Sequence, residues 1–298
     1  MLVLVAPGQG AQTPGFLTPW LELPGLADRL GGWSEIVGID LVAYGTTADA
    51  DEIRDTAVAQ PLLVAAALAS AEALGVAPDL LAGHSVGEFA AAALAGVITH
   101  EEALRLVRDR AMAMAKAAAV TETGMTAVLG GVEEDVLACI EKHGLTPANI
   151  NGAGQIVAGG TLEQLAAFNQ EPPARARLRS LSVAGAFHTH HMAPAVESLR
   201  EAAWNVVPAD PRIALLSNSD GRAVASGAEF LQRLVNQVSN PVRWGACMET
   251  MAGLGVTKLI ELLPGGTLTG LAKRGLNGVQ VVALKTPDDL DAARELTK

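Results

Sequence analysis

Aromatic side chains are scarce in this chain: one Tyr, five Phe and four Trp among 298 residues. With 50% of its residues hydrophobic, the core must be built from Ala, Leu and Val instead. Positive charge is also short, with 21 Lys and Arg against 32 Asp and Glu and a net charge of −11. Binding to phosphate backbones needs a surplus of Lys and Arg, so this balance argues against a nucleic-acid partner. Cysteine is nearly absent. Cys139 and Cys247 stand far apart with no ligand pattern around them, which argues against a disulfide or a metal centre and reads both as small buried hydrophobes. No uninterrupted run of about 18 apolar residues offers a membrane span. The segment Met1–Pro7 lacks a basic leader, and its apolar run is too short for a signal peptide. A cytoplasmic protein without membrane association is expected.

A chain of 298 residues is long for one core, so one large domain with an insert, or two domains, is expected. Residues 2–6 read as an apolar strand ending in Pro7-Gly8-Gln9-Gly10-Ala11-Gln12. Residues 60–74 read as a helix closed by Gly75, 80–82 as a buried strand, and 86–95 and 100–118 as helices. Thr99 and Glu102 have the spacing of a capping box at the last of these. After Thr123 shorter elements alternate, with strands at 125–129, 156–158 and 178–183 and helices at 133–143 and 161–170. This β-α-β-α-β run suits a small subdomain, residues 123–184, inserted between the parts 1–122 and 185–298 of a larger one. Helices at 193–203, 227–238 and 243–254 and strands at 213–216, 258–262 and 280–283 complete the pattern. The class is α/β, with a mostly parallel sheet covered on both faces.

The segment Leu80-Leu81-Ala82-Gly83-His84-Ser85-Val86-Gly87-Glu88-Phe89 joins a short strand to a helix through Gly-x-Ser-x-Gly. Such a turn strains the serine, projects its hydroxyl, and aims the free N–H groups of the next helix at any oxyanion formed there. Taken alone, the motif fits a helix-capping serine equally well. A serine nucleophile needs a base within reach, and the chain has six histidines. His84 is too close along the backbone and reads as structural, while His100 and His143 fall at surface positions. His188, His190 and His191 remain. Histidines at this spacing can share a metal ion, but no Asp, Glu or Cys stands beside them at ligand-like spacing, so a metal-free base is preferred. The apolar approach Ala186-Phe187 favours His188.

Further motifs accompany these: Asp-Arg-Ala-Met-Ala-Met at 109–114, Asn-Gly-Ala-Gly-Gln at 151–155, Ala-Phe-His-Thr-His-His-Met at 186–192, Asn-Gln-Val-Ser-Asn-Pro-Val-Arg-Trp at 236–244 and Glu-Leu-Leu-Pro-Gly-Gly-Thr-Leu at 261–268. With 7–12 and 83–88 they run in the order and spacing of the malonyl-CoA:acyl carrier protein transacylases, and the chain resembles that family over nearly its whole length. The resemblance implies a hydrolase-like large subdomain and a ferredoxin-like small one. It makes Ser85 the nucleophile, His188 the general base and acid, and the backbone N–H groups of Gln9 and Val86 the oxyanion hole. Gln237 stands where the family orients its histidine through an amide or main-chain carbonyl in place of an aspartate. Arg110 would bind the malonyl carboxylate, with Met114 on the same helix face and His84, Asn151 and Phe187 as further substrate contacts. Two departures are Thr189 and His191, where the family often has Ser and a non-histidine, and Ala153 stands where it has Pro.

The implied reaction is ping-pong transfer of malonyl from coenzyme A to the phosphopantetheine thiol of acyl carrier protein, for fatty acid or polyketide synthesis, by a monomer without a cofactor. Docking an acidic carrier on an acidic enzyme calls for a local basic patch, for which Lys116, Arg175, Arg177, Arg179, Lys273 and Arg274 are candidates. A hydrolase is the first rival. An α/β-hydrolase places its histidine near the C-terminus, yet none follows His191. A patatin-like pairing of Ser85 with Asp220 leaves Arg110 and His188 unused. A non-catalytic scaffold would not need nucleophile, base and clamp together.

Overall fold

The central strand of this protein is apolar along its whole length because both of its faces are covered. In a computed structural model describing residues 1–298, β1 (Leu2–Ala6) sends Leu2, Leu4 and Ala6 into one apolar core and Val3 and Val5 into another. Alternation along a strand produces that split. The chain continues through α1 (Leu26–Val37), α2 (Leu41–Thr46), α3 (Thr56–Leu74), β2 (Leu80–Gly83), α4 (Gly87–Leu94) and α5 (His100–Ala118). It then forms β3 (Thr123–Gly130), α6 (Glu133–Lys142), β4 (Thr146–Gly152), β5 (Gln155–Thr161), α7 (Leu162–Gln170) and β6 (Ala176–Ser180). The last part comprises α8 (Ala193–Ala203), β7 (Ala214–Leu215), α9 (Gly227–Gln237), α10 (Trp244–Gly253), β8 (Lys258–Glu261), α11 (Thr267–Gly275), β9 (Gln280–Ala283) and α12 (Asp289–Thr297).

Two separate sheets result. A parallel sheet of order β7-β2-β1-β8-β9 runs through the larger part of the protein. An antiparallel sheet of order β4-β5-β3-β6 is built from the segment after α5. The strand β4 is absent from the sequence expectation, because Thr146-Pro147-Ala148-Asn149-Ile150-Asn151-Gly152 carries a Pro and two Asn, which strands disfavour. It survives as an edge strand with irregular pairing at Pro147/Asn149 and Ile150/Gly152. Its outer side is tied to the rest of the protein, since Ile150 N donates to Val242 O and Val242 N to Ala148 O. The strand expected at 178–183 ends at Ser180, and Leu181 and Val183 leave the sheet to line a cleft.

The helix α3 is apolar and long enough, at 19 residues, to cross a membrane on length and composition alone. Here 78% of its most apolar stretch is buried inside the protein, where it packs against α4 and α5. Asp55 caps it by accepting from Ala57 N, and Gly75 closes it in a left-handed conformation. At α5 the Thr99–Glu102 capping box forms as its spacing implies.

Candidate active site

The site grows from the turn between β2 and α4. Ser85 has φ +53°, a left-handed conformation that a serine adopts only under constraint. The turn passes tightly beneath the end of β1. A Cβ at Gly87 would sit 2.2 Å from Ala6 O, and one at Gly83 2.1 Å from the Gly87 carbonyl carbon. Asn218, just after β7, holds the strained backbone: its Oδ1 accepts from Ser85 N at 2.8 Å and its Nδ2 donates to Gly83 O at 2.8 Å. The serine is not a helix cap, for α4 has no side-chain cap, and Ser85 Oγ lies 2.7 Å from His188 Nε2. The backbone N–H groups of Gln9 and Val86 donate to no other protein group, and both residues line the cleft around Ser85.

His188 also has a left-handed backbone, with φ +59°. Its Nδ1 is 2.8 Å from the main-chain oxygen of Gln237, so the Nδ1–H donates there and leaves Nε2 as the acceptor facing Ser85. Burial, and next the Arg110 charge, hold its pKa down to about 3. The ring is therefore a neutral base at ordinary pH. His190 and His191 pack on one another with ring centroids 4.1 Å apart and make no contact with Ser85.

Arg110 comes from α5 and is 1% exposed. Its Nη1 donates to Gln60 Oε1 at 2.5 Å, and its Nη2 to Gln237 Oε1 at 2.9 Å and Ser85 Oγ at 3.5 Å. Its Nε has no partner, and no carboxylate lies within ion-pair distance. Burial lowers its pKa to about 10, with Glu88 opposing, so the guanidinium stays charged at neutral pH. Met114 lies one turn along α5, where its sulfur accepts from Gln60 Nε2 at 3.6 Å. His84 bonds Asn151 across the cleft, Nε2 to Oδ1 at 2.9 Å, and packs edge-on against Trp244. The cleft has a volume of about 200 Å³ and gathers every site residue read from the sequence except Gln237, which lies behind His188.

Three buried polar residues complete the site without having been singled out in the sequence. Gln60 is the lone amide in the apolar first half of α3, a signal that periodicity alone could have raised. Asn218 follows the C-terminal end of a parallel strand, where sites of open α/β sheets gather. Glu88 stands inside the quoted Gly-His-Ser-Val-Gly-Glu motif and is 1% exposed. Its Oε1 accepts from Asn218 N at 2.6 Å and its Oε2 from Gln237 Nε2 at 2.5 Å. Burial pushes this carboxyl up to about 8, against the pull of those hydrogen bonds.

Two smaller expectations are corrected, and one pairing rejected from the sequence is absent. Cys139 is only partly buried, packed at the edge of the small apolar core beside α6, whereas Cys247 is fully buried. His143 is not at the surface but packs edge-on against Phe168 with 9% of its side chain exposed. Asp220 pairs with Arg233 at 2.8 Å and offers Ser85 nothing.

A family model described as acyl transferase domain matches residues 3–286. The malonyl CoA-acyl carrier protein transacylase of Mycobacterium tuberculosis is 51% identical over 302 residues, covering 99% of this chain and 100% of that one. The crystal structure of MCAT from Mycobacterium tuberculosis has a TM-score of 0.96 at 51% identity and covers 100% of both chains. A malonyl-transacylase solved in complex with its type II polyketide synthase acyl-carrier protein has a TM-score of 0.91 at 31% identity and covers 99% of both.

Proposed function

The chain belongs to the malonyl-CoA:acyl carrier protein transacylases of the acyl transferase domain family, and we propose that it carries malonyl between two thiols through an ester on Ser85. In the first half-reaction Ser85 Oγ attacks the thioester carbonyl while His188 Nε2 takes the hydroxyl proton. The N–H groups of Gln9 and Val86 stabilise the oxyanion, worth on the order of 100- to 1,000-fold in rate per donor. The C–S bond then breaks, His188 returns the proton to the departing sulfur, and coenzyme A leaves as a thiol. In the second half-reaction the phosphopantetheine thiol of acyl carrier protein gives its proton to His188 and attacks the ester. Ser85 leaves and is reprotonated. The Gln237 carbonyl keeps the ring oriented throughout, but as a neutral group it stabilises imidazolium less than a carboxylate would.

One observation carries the choice of acyl group: a buried, charged guanidinium stands 3.5 Å from Ser85 Oγ with only amide and hydroxyl oxygens as partners. A malonyl ester on Ser85 brings a carboxylate to that fork, whereas an acetyl ester leaves it unmatched. The carrier as partner is supported by the related enzyme solved with its acyl-carrier protein. Lys116, Arg175, Arg177, Arg179, Lys273 and Arg274 are all exposed and remain the basic residues proposed to dock it. No resident cofactor is needed, and the product serves as an extender unit for fatty acid or polyketide chains.

Comparison of malonyl-CoA with acetyl-CoA in Arg110→Ala tests this reading. Malonyl loading should fall on the order of 100-fold or more, since truncating one member of a buried charge pair costs about 2–5 kcal/mol. Acetyl loading should fall less, so that discrimination collapses. An equal loss for both acyl groups would remove Arg110 from the specificity argument.

A further inference from the structure

Glu88 is a fully buried acid, and the transfer steps above give it no part. It touches neither Ser85 Oγ nor His188, and no cation lies within ion-pair distance of it. Both of its oxygens are instead occupied by N–H donors, from Asn218 N and Gln237 Nε2. The amide of Gln237 thus lies between a buried carboxyl and a buried charge, since its Nε2 faces Glu88 and its Oε1 faces Arg110 Nη2 at 2.9 Å. Every neighbour of the Nε2 end is an acceptor: Glu88 Oε2, Ser85 O at 3.0 Å and Asn218 Oδ1 at 3.5 Å.

We propose that Glu88 is a positioning residue, whose acceptor-only carboxylate fixes which end of the Gln237 amide faces Arg110 and so aims the guanidinium at the acyl carboxylate. This rests on the reading of Arg110 as the malonyl clamp. A carboxylate presents an acceptor-only oxygen to each neighbour, whereas a protonated acid or an amide does so at one end and carries a donor hydrogen at the other. The Asn218 donor is a backbone N–H that cannot turn, so an amide introduced at position 88 must give it the oxygen. The NH₂ end then faces Gln237 Nε2, donor against donor. Gln237 must shift or turn its NH₂ toward Arg110, and either movement disturbs the fork.

Protonation of Glu88 does the same, because the new O–H lands on the oxygen facing Gln237. Arg110 on α5 and Arg233 on α9 are the charges facing Glu88, and the Cys247 thiol on α10 is kept neutral by burial. Since burial raises the Glu88 carboxyl, the clamp is set by deprotonation and lost as pH falls through that titration. Acetyl transfer, which brings no carboxylate to the clamp, depends on it less, so the malonyl-to-acetyl ratio reports the setting of the clamp.

The test measures initial rates of Ser85 acylation by malonyl-CoA and acetyl-CoA from about pH 6 to 8.5, in the unmodified protein and in Glu88→Gln. In the unmodified protein the malonyl-to-acetyl ratio should rise with pH. In Glu88→Gln the ratio should be at least about tenfold lower at the upper end and flat with pH, as expected from one misdirected charged hydrogen bond. A Glu88 that only supports the fold would lower both acyl groups alike and leave the ratio unchanged. That result overturns the proposal, as does the same pH trend in both proteins. If Glu88→Gln does not fold, a constant ratio across pH in the unmodified protein is decisive against it. Failure of Ser85 to take malonyl at all would instead sink the functional reading on which the proposal stands.

Discussion

Replacing Ser85 with Ala should abolish the covalent malonyl adduct and lower malonyl transfer to acyl carrier protein by about four to six orders of magnitude, as removal of an activated serine does elsewhere. Only one hydroxyl in the cleft combines the 2.7 Å contact to His188 Nε2 with proximity to the free N–H groups of Gln9 and Val86. The variant should fold. Alanine tolerates φ +53° no worse than serine, and the bonds from Asn218 to Gly83 O and from Ser85 N to Asn218 involve backbone that the substitution leaves intact. Intact mass after mixing with malonyl-CoA reads the adduct, and a circular-dichroism melt confirms folding. An adduct that persists in Ser85→Ala would place the acyl group on another residue.

His188→Ala should come close to that effect, on the order of 10,000-fold or more in the rate of acylation. No substitute base is at hand, because His190 and His191 pack against each other and both oxygens of Glu88 are engaged. The pH profile adds a separate check. With its pKa held down to about 3, His188 is already neutral far below its ordinary value, so no imidazole limb should appear near pH 6.5 in acetyl transfer. A limb there would mean that burial and the Arg110 charge act on His188 much less than its surroundings imply.

The elements that were legible in the sequence are those whose local signals agree with the final packing. The apolar β1, the capped α5, and the strand-turn-helix around Ser85 each carry their own signature. By contrast, β4 was hidden because its stability comes from outside: it is held by β5 on one side and by Val242 on the other despite its Pro and Asn residues. The serine, histidine and arginine could be picked out because their chemistry needs those residue types. Their support could not. Glu88, Asn218 and Gln60 act through hydrogen bonds between distant parts of the sequence, from Gln60 to Arg110 across 50 positions to Glu88 to Gln237 across 149. Gln237 itself shows why. As a helix residue with a polar side chain it reads as surface, and only its place behind His188 makes it part of the site.

The central claim is that one serine passes a malonyl group from one thiol to another. The most direct measurement takes the purified protein through both half-reactions in sequence, following intact mass. With malonyl-CoA alone, one malonyl adduct should form and persist after the free coenzyme is removed. Addition of phosphopantetheinylated acyl carrier protein should then clear the adduct and leave the carrier heavier by the same group. Adduct loss to water at the same rate with or without the carrier would contradict the account, as would malonylated carrier formed without any enzyme adduct.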